Sequence, residues 1–284
     1  MATASMQSHR ARPQANGDER GRVLPLTRAG IWVLLVLAAL NGLFLYFVPA
    51  QAETHYAWSI KPSVNAAFIG AGFLAGTVAT GLVLAYATRW RSFSTLPIAL
   101  WVLATTLLAA TIIHNDRFKF DYAPTWVWTF VYAAVPIAIP FLVARQNANA
   151  DAEPDRDPKL TPLRIVSAVF GVAILAGAIA LYLAPVELGR HWLWPLTPLL
   201  ARAVAAWYML FGTMLVSCAY GMRRPADAII PYATLGSWSV LLLLLPVLHD
   251  EQVSGGGLWY ALMVALLALS AYALSIGLKD RRNL

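Results

Sequence analysis

Long uncharged hydrophobic stretches alternate with short polar segments along most of the chain. Eight stretches have the length of a membrane span, at roughly 30–50, 64–88, 95–113, 124–144, 165–185, 199–222, 228–248 and 257–278. A helix needs about 20 residues to cross a hydrocarbon layer of about 30 Å. This pattern predicts an all-α membrane protein with eight transmembrane helices.

One polar segment occurs twice. Residues 49–62 recur without a gap as residues 185–198, and proline, histidine, tryptophan and proline return in register. The match continues upstream, where Leu45-Tyr46 corresponds to Leu181-Tyr182. We therefore predict two tandem four-helix repeats, at 29–145 and 162–279. Four helices in each half start both halves on the same side, so the repeats are parallel and related by a pseudo-two-fold axis along the membrane normal.

The segments outside the repeats are polar. Residues 1–28 are rich in arginine and carry too few apolar residues for a core, so they are predicted to be a disordered cytoplasmic tail. Residues 146–161 form a polar cytoplasmic linker between the halves, and residues 280–284 form the cytoplasmic C-terminus.

Lysine and arginine are distributed unevenly between the two sides. If the N-terminus is cytoplasmic, the outer segments hold only Lys61, Arg117, Lys119, Arg190 and Arg202 of the 21 basic residues. This is the positive-inside pattern, and it predicts cytoplasmic N- and C-termini in a bacterial plasma membrane. The net charge of +7 then reflects orientation and contact with anionic lipid rather than nucleic acid. The predicted partner is the lipid bilayer, and the sequence identifies no protein partner.

Composition agrees with this assignment. The chain is 59% hydrophobic and 12% charged, whereas about a quarter of the residues of a soluble domain are charged. Arg202 is the one charged residue inside the predicted spans, near enough to the outer end for its guanidinium to reach the head groups. Intramembrane ionisable residues usually mark proton and ion pathways, so their scarcity disfavours an ion-pumping mechanism.

Histidines are the candidate ligands. Four of the five fall in outer segments and form two repeat-related pairs: His55 with His191, and His114 with His249. Asp116 and Asp250 follow closely after two of them. Such a set could bind a transition metal or hold a haem between two imidazoles. The structural alternative is that a histidine at a helix C-terminus is favoured by the helix dipole. We expect His114 and His249 to approach each other across the pseudo-two-fold axis.

Aromatic residues surround the duplicated segment, at Tyr56, Trp58, Trp192 and Trp194. One interpretation is an aromatic belt at the membrane interface. The other is an aromatic-lined mouth that, together with Arg202, admits a lipid or another apolar ligand between the halves.

Small residues predict the central helices. Gly72 and Gly76 lie four apart in the second span, and Gly76 returns as Gly212 in the sixth. Small residues at this spacing let helix backbones approach closely inside a membrane. We expect the second, fifth and sixth spans to pack together at the centre.

The chain resembles uncharacterised multi-pass membrane proteins of actinobacterial type. The resemblance rests on W-S-I-K-P-S-V-N-A-A-F-I-G-A-G-F, W-P-L-T-P-L-L-A-R-A-V-A-A-W, L-H-D and H-N-D-R-F, and it covers most of residues 30–280. It implies the eight-span architecture and no activity.

Three functions remain open from the sequence. The first is a transporter-like or lipid-handling protein with its site between the repeats near the outer face. The second is a membrane-bound haem or metal redox protein that uses the outer histidines. The third is a non-catalytic envelope or assembly component. The sequence contains no close-spaced catalytic motif, and an enzyme is not the favoured class.

Overall fold

The computed structural model describes residues 20–282, and these residues form an all-helical protein. The helices are α1 (Pro25–Phe47), α2 (Ala52–His55), α3 (Ser63–Tyr86), α4 (Pro97–Ile113), α5 (Ala123–Ala148), α6 (Thr161–Leu183), α7 (Pro185–Gly189), α8 (Pro198–Gly221), α9 (Ile229–Leu248) and α10 (Gly257–Arg282). Short 3₁₀ turns join several of them. The predicted tail as far as residue 19, with His9, lies outside the described residues.

Seven of these helices are long and apolar enough to cross a membrane: α1, α3, α5, α6, α8, α9 and α10. Helix α4 is also apolar, but it has only 17 residues. The all-helical membrane class predicted from the sequence is confirmed. Helix α1 begins at Pro25, inside the segment predicted to be tail.

The connecting segments gather into two layers at opposite ends of the long helices. The first, here called the basic layer, contains 20–24, 87–96, 149–160 and 222–228; its segments are joined by Val23 N–Thr88 O (3.1 Å), Gly21 N–Asn149 O (2.7 Å) and Asp157 N–Arg223 O (2.9 Å). The second, the histidine layer, contains 48–62, 114–122, 184–197 and 249–256. Lys119 N donates to Ala57 O at 3.0 Å there, and Ser254 N donates to Leu193 O at 2.9 Å. Each long helix, α4 included, runs from one layer to the other.

Helices α8, α9 and α3 are the most buried of the long helices. The buried share of the most apolar stretch is 78% in α8, 61% in α9 and 44% in α3, against 17% in α5 and 28% in α6. The central position of the second and sixth predicted spans is therefore observed, whereas the fifth predicted span, α6, lies at the periphery. Only one stripe of α6 packs inward, on α8.

Helix pairing is reciprocal between the two halves of the chain. Helix α1 packs on α3, and α6 packs on α8. Helix α4 reaches across to α8 of the other half, while α9 reaches across to α3. Two hydrogen bonds follow the same exchange: the Tyr46 hydroxyl donates to Leu241 O at 2.9 Å, and the Tyr182 hydroxyl donates to Thr106 O at 2.8 Å.

Glycines mark the closest helix approaches. A Cβ at Gly72 would lie 2.5 Å from the Trp207 ring, which brings α3 and α8 into direct contact, and a Cβ at Gly212 would lie 2.8 Å from Leu175 of α6. At Gly76 the nearest atom is 3.8 Å away, so this position has room for a methyl group. At Gly70, which was not among the predicted positions, the atoms nearest to a Cβ belong to the backbone of α1, at 2.5 Å from Tyr46 N and 2.8 Å from the Leu45 carbonyl carbon.

Two side chains form hydrogen bonds with backbone groups that lack a partner within their helix, one inside α5 and one at the start of α1. Pro140 has no N–H, which frees the carbonyl of Pro136 within α5, and Trp101 Nε1 donates to that oxygen at 3.0 Å. Buried Gln146 caps α1 by accepting from Leu24 N at 3.0 Å and from Thr27 Oγ1 at 3.1 Å. These bonds hold α5 as one continuous helix and join its end to the start of α1.

Candidate functional site

The aromatic side chains of the duplicated segment point into the protein. Trp58 and Trp194 are each 2% exposed, Tyr56 is 6% exposed, and Trp192 is partly buried. They therefore do not form a belt at the surface of the bundle. In the first half the Trp58 ring lies 5.0 Å from Tyr56 and 4.7 Å from Trp128, centroid to centroid. In the second half the Trp194 ring lies 5.9 Å from Phe68 of α3.

Asn65 joins the second copy of the segment to the first half. Its side chain is completely buried; Oδ1 accepts from Trp194 Nε1 at 2.9 Å, and Nδ2 donates to Pro195 O at 3.1 Å. The repeat does not reproduce this contact, since Ala201 stands where Asn65 would return and Trp58 Nε1 has no partner among the described residues. The two copies are therefore fixed by different interactions.

A lateral groove opens between α1, α3 and α5 near the histidine layer, with a volume of about 450 Å³. Most of its lining is apolar, with Leu37, Phe44, Phe73 and Val131 among the lining residues. At its rim Leu40 is 62% exposed and Val127 is 56% exposed, so the groove opens on the hydrophobic outer surface of the bundle.

The groove also has polar and aromatic lining residues. They are Asn41, His55, Tyr56, Trp128 and Tyr132. The Tyr56 hydroxyl donates to Asn41 Oδ1 at 3.2 Å, and Asn41 Nδ2 donates to Leu37 O at 2.9 Å. Burial raises the pKa of Tyr56 well above its usual value, so the hydroxyl keeps its proton and remains a donor to Asn41. The groove thus combines a mainly apolar lining with a few polar side chains.

Each outer histidine has its own partner. His55 Nδ1 lies 2.7 Å from Thr54 Oγ1, and His191 Nε2 accepts from Arg190 Nε at 3.1 Å. His249 Nδ1 lies 3.4 Å from Ser63 Oγ at the start of α3. Among the described hydrogen bonds, none joins two of these imidazoles.

The aspartates beside the histidines have other contacts. Asp116 pairs with Arg117 at 3.0 Å, and Asp250 Oδ1 accepts from the backbone of Glu251 at 2.9 Å. Within residues 20–282, no three His, Cys, Asp or Glu side chains come close enough to hold a metal ion. A metal or haem role for these residues stays a prediction.

Arg202 reaches the end of α4 from α8. Its Nη1 donates to His114 Nε2 at 2.6 Å, and its guanidinium carbon lies 5.7 Å from the centre of the Tyr182 ring. Arg202 Nε is buried without a partner, and no described carboxylate forms an ion pair with this side chain. Because an arginine always donates, Nε2 of His114 accepts, and its Nδ1 carries the proton in the neutral ring.

This contact makes His114 difficult to protonate. Burial lowers the pKa of His114, and the positive charge of Arg202 lowers it further; Asp116 opposes the shift, and Arg117 adds to it. Burial also lowers the pKa of His249. The usual pKa of histidine is about 6.5, and both pKa values are lowered from it, so both imidazoles are neutral at pH 7.

We predict that acid destabilises the protein through His114. An unfolded histidine binds a proton at a higher pH than the folded one, so the contribution of His114 is complete above about pH 6.5 and is lost as the pH falls from there toward the lowered folded pKa. Melting temperatures in detergent between pH 8 and pH 5 measure this loss. His114→Gln should reduce the slope and leave the contribution of His249, and Arg202→Gln should reduce it by a smaller amount. Equal slopes in all three proteins would contradict the assignment.

The groove residues Asn41 and Tyr132 were not identified from the sequence. Asn41 was a polar residue in a span, and nothing in its spacing indicated that Tyr56 would bond to it. Between the halves, α3 and α8 are in direct contact where Gly72 faces the Trp207 ring, and the ligand site predicted between the halves near the outer face stays a prediction. Comparison with family models, with curated proteins and with solved structures finds no match for this chain, so the resemblance to actinobacterial membrane proteins stays a prediction.

Proposed function

We propose that this chain is an eight-span protein of the bacterial plasma membrane that binds an amphipathic lipid in the lateral groove between α1, α3 and α5. The observation that carries the proposal is the groove itself, which has a mainly apolar lining with a few polar groups and opens on the hydrophobic surface. A lipid combines the same two kinds of surface, and it can enter sideways from the bilayer.

Helix α4 completes the eight spans, in addition to the seven helices that are long and apolar enough to cross a membrane. At 1.5 Å per residue its 17 residues cover roughly 26 Å, and spans of about 17 residues occur in membranes. Its two ends lie in opposite loop layers, which supports a complete crossing. The basic layer, with Arg89, Arg91, Arg223 and Arg224, then faces the cytoplasm together with both termini.

Tandem duplication is supported by the reciprocal contacts. The order of a long helix, a short helix and three long helices occurs twice. Tyr46 and Tyr182, which occupy equivalent places in the duplicated sequence, each bond to a helix of the opposite half. A pseudo-two-fold axis along the membrane normal accounts for both exchanges. With the basic layer facing the cytoplasm, the groove beside the histidine layer lies in the outer half of the bilayer.

The proposed ligand site differs from the one predicted from the sequence, which lay between the two halves. Of the predicted mouth residues, Tyr56 lines the groove, whereas Trp58 and Trp194 are core residues. Arg202 lies against His114 and Tyr182 instead. The site therefore lies inside the first half and not between the halves.

We predict that filling the groove removes the lipid. Val131→Trp places an indole among the lining residues, while Ile137→Trp, on the same helix at a position that is 76% exposed and outside the groove, is the matched control. Lipids that copurify in mild detergent should be quantified by mass spectrometry after extraction.

The enriched lipid should fall by roughly tenfold in Val131→Trp, which corresponds to about 1.4 kcal/mol, and should be unchanged in Ile137→Trp. Both variants should melt near the wild-type temperature. A wild-type protein with no lipid enriched over the bulk membrane, or equal retention in the two variants, would contradict the proposed function.

A further inference from the structure

Among the described residues, no lysine, arginine, aspartate or glutamate lines the groove. In the histidine layer, Lys119 Nζ donates to the carbonyls of Glu53 and Thr54, and Lys61 pairs with the Glu53 carboxylate. A phosphate head group would therefore find no ammonium or guanidinium group in the lining to offset its lost hydration.

The polar lining residues supply hydrogen-bond donors. The Tyr132 hydroxyl lines the groove and has no hydrogen-bond partner among the described residues, although the residue as a whole is only 6% exposed. Asn41 Nδ2 carries two hydrogens, and one of them is used by Leu37 O. A bound carbonyl oxygen can accept from donors that face the groove in this way.

The wall beside these donors is aromatic. The ring centres of Trp128 and Tyr132 are 4.0 Å apart, and those of Tyr56 and Trp128 are 5.8 Å apart. A flat conjugated ring gains offset or edge contacts on such a wall in addition to the burial of its area. The other lining residues include branched and aromatic apolar side chains, among them Leu37, Phe44 and Val131.

We propose that the occupant of the groove is an isoprenoid quinone, whose uncharged ring carries carbonyl acceptors and whose tail is apolar. The ring lies against Tyr56, Trp128 and Tyr132, and one carbonyl accepts from the Tyr132 hydroxyl. The tail leaves past Leu40 and Val127 into the bilayer. This assignment rests on the proposed lipid-binding function and specifies the ligand of that same groove.

The test measures binding to the full chain in detergent by equilibrium dialysis. The probes are a quinone with two isoprene units, a short-chain phosphatidylglycerol and a short-chain diacylglycerol. The proteins are the wild type, Tyr132→Phe, which removes one hydroxyl group, Val131→Trp, which fills the groove, and Ile137→Trp as control. Melting temperatures verify that all four are folded.

The quinone should bind the wild type and Ile137→Trp, bind Tyr132→Phe roughly fivefold more weakly, and bind Val131→Trp at least tenfold more weakly. Stronger binding of phosphatidylglycerol or diacylglycerol, blocked by Val131→Trp, would overturn the quinone assignment and leave the lipid groove intact. Quinone binding that Tyr132→Phe does not weaken would overturn the assigned hydrogen bond. If Val131→Trp weakens the binding of no probe, both the quinone assignment and the proposed function fail.

Discussion

Gly70→Ala is expected to destabilise the protein by roughly 1–3 kcal/mol, the usual cost of overpacking a tightly packed interior. A Cβ at this position would lie 2.5 Å from the backbone nitrogen of Tyr46 and 2.8 Å from the carbonyl carbon of Leu45. Because these atoms belong to the backbone of α1, they cannot move aside by a change of rotamer. Helix α1 would have to separate from α3, and the contact on which the first half is built would weaken.

Gly81→Ala is the matched control for this prediction. It lies in the same helix, and a Cβ there would meet nothing within 4 Å. Alanine is favoured over glycine inside a helix by up to about 1 kcal/mol, so this variant should be neutral or slightly more stable. Unfolding in mixed detergent micelles measures both. Equal effects of the two substitutions would mean that α1 and α3 do not approach as described.

Asn65→Ala is expected to cost about 3 kcal/mol, because buried partners left without a hydrogen bond each cost about 1–3 kcal/mol. The substitution removes the acceptor of Trp194 Nε1 and the donor to Pro195 O, both in the second copy of the duplicated segment. It also removes a bond to Lys61 O at 3.2 Å.

A double-mutant cycle with Trp194→Phe isolates the bond between the two side chains. The coupling energy should fall between about 0.5 and 3 kcal/mol, as for residues in direct contact. Trp58→Phe is the comparison from the first copy, because Trp58 Nε1 has no partner and that variant should show no coupling to Asn65→Ala. Strictly additive effects of Asn65→Ala and Trp194→Phe would refute the role given to Asn65.

The helices were predictable because burial in lipid and burial in protein both require apolar residues. The eight predicted segments match the eight long helices to within about five residues at each end, and seven have the length and hydropathy of spans. The predicted order of helix contacts was less accurate. Helix α6 lies at the periphery, and its Gly171 makes a close approach to α8. The spacing of small residues predicts such an approach but does not reveal which helix is the neighbour.

The groove follows from the sequence less directly than the helices do. Tyr56 was one of the predicted mouth residues and lines the groove, while its contact with a ligand stays a prediction. Tryptophans near a span end are typical of interfaces, yet Trp58 and Trp194 turn inward because the segments 48–62 and 184–197 fold back over the helix ends. The groove arises where α5 packs mainly on α4 and leaves a gap beside α1, a choice of neighbours that hydropathy does not encode.

Cysteine labelling from the two sides of the membrane tests the central claim, that the eight long helices each cross the bilayer between the two loop layers. Cys218 is buried and is replaced by serine, and single cysteines are introduced at exposed Ser59, Asn115, Ser254 and Asp155. A membrane-impermeant thiol reagent added to intact cells should label the first three positions, and should label residue 155 only after the cells are opened. Labelling of residue 115 only in opened cells, or of residues 59 and 254 from opposite sides, would contradict the account.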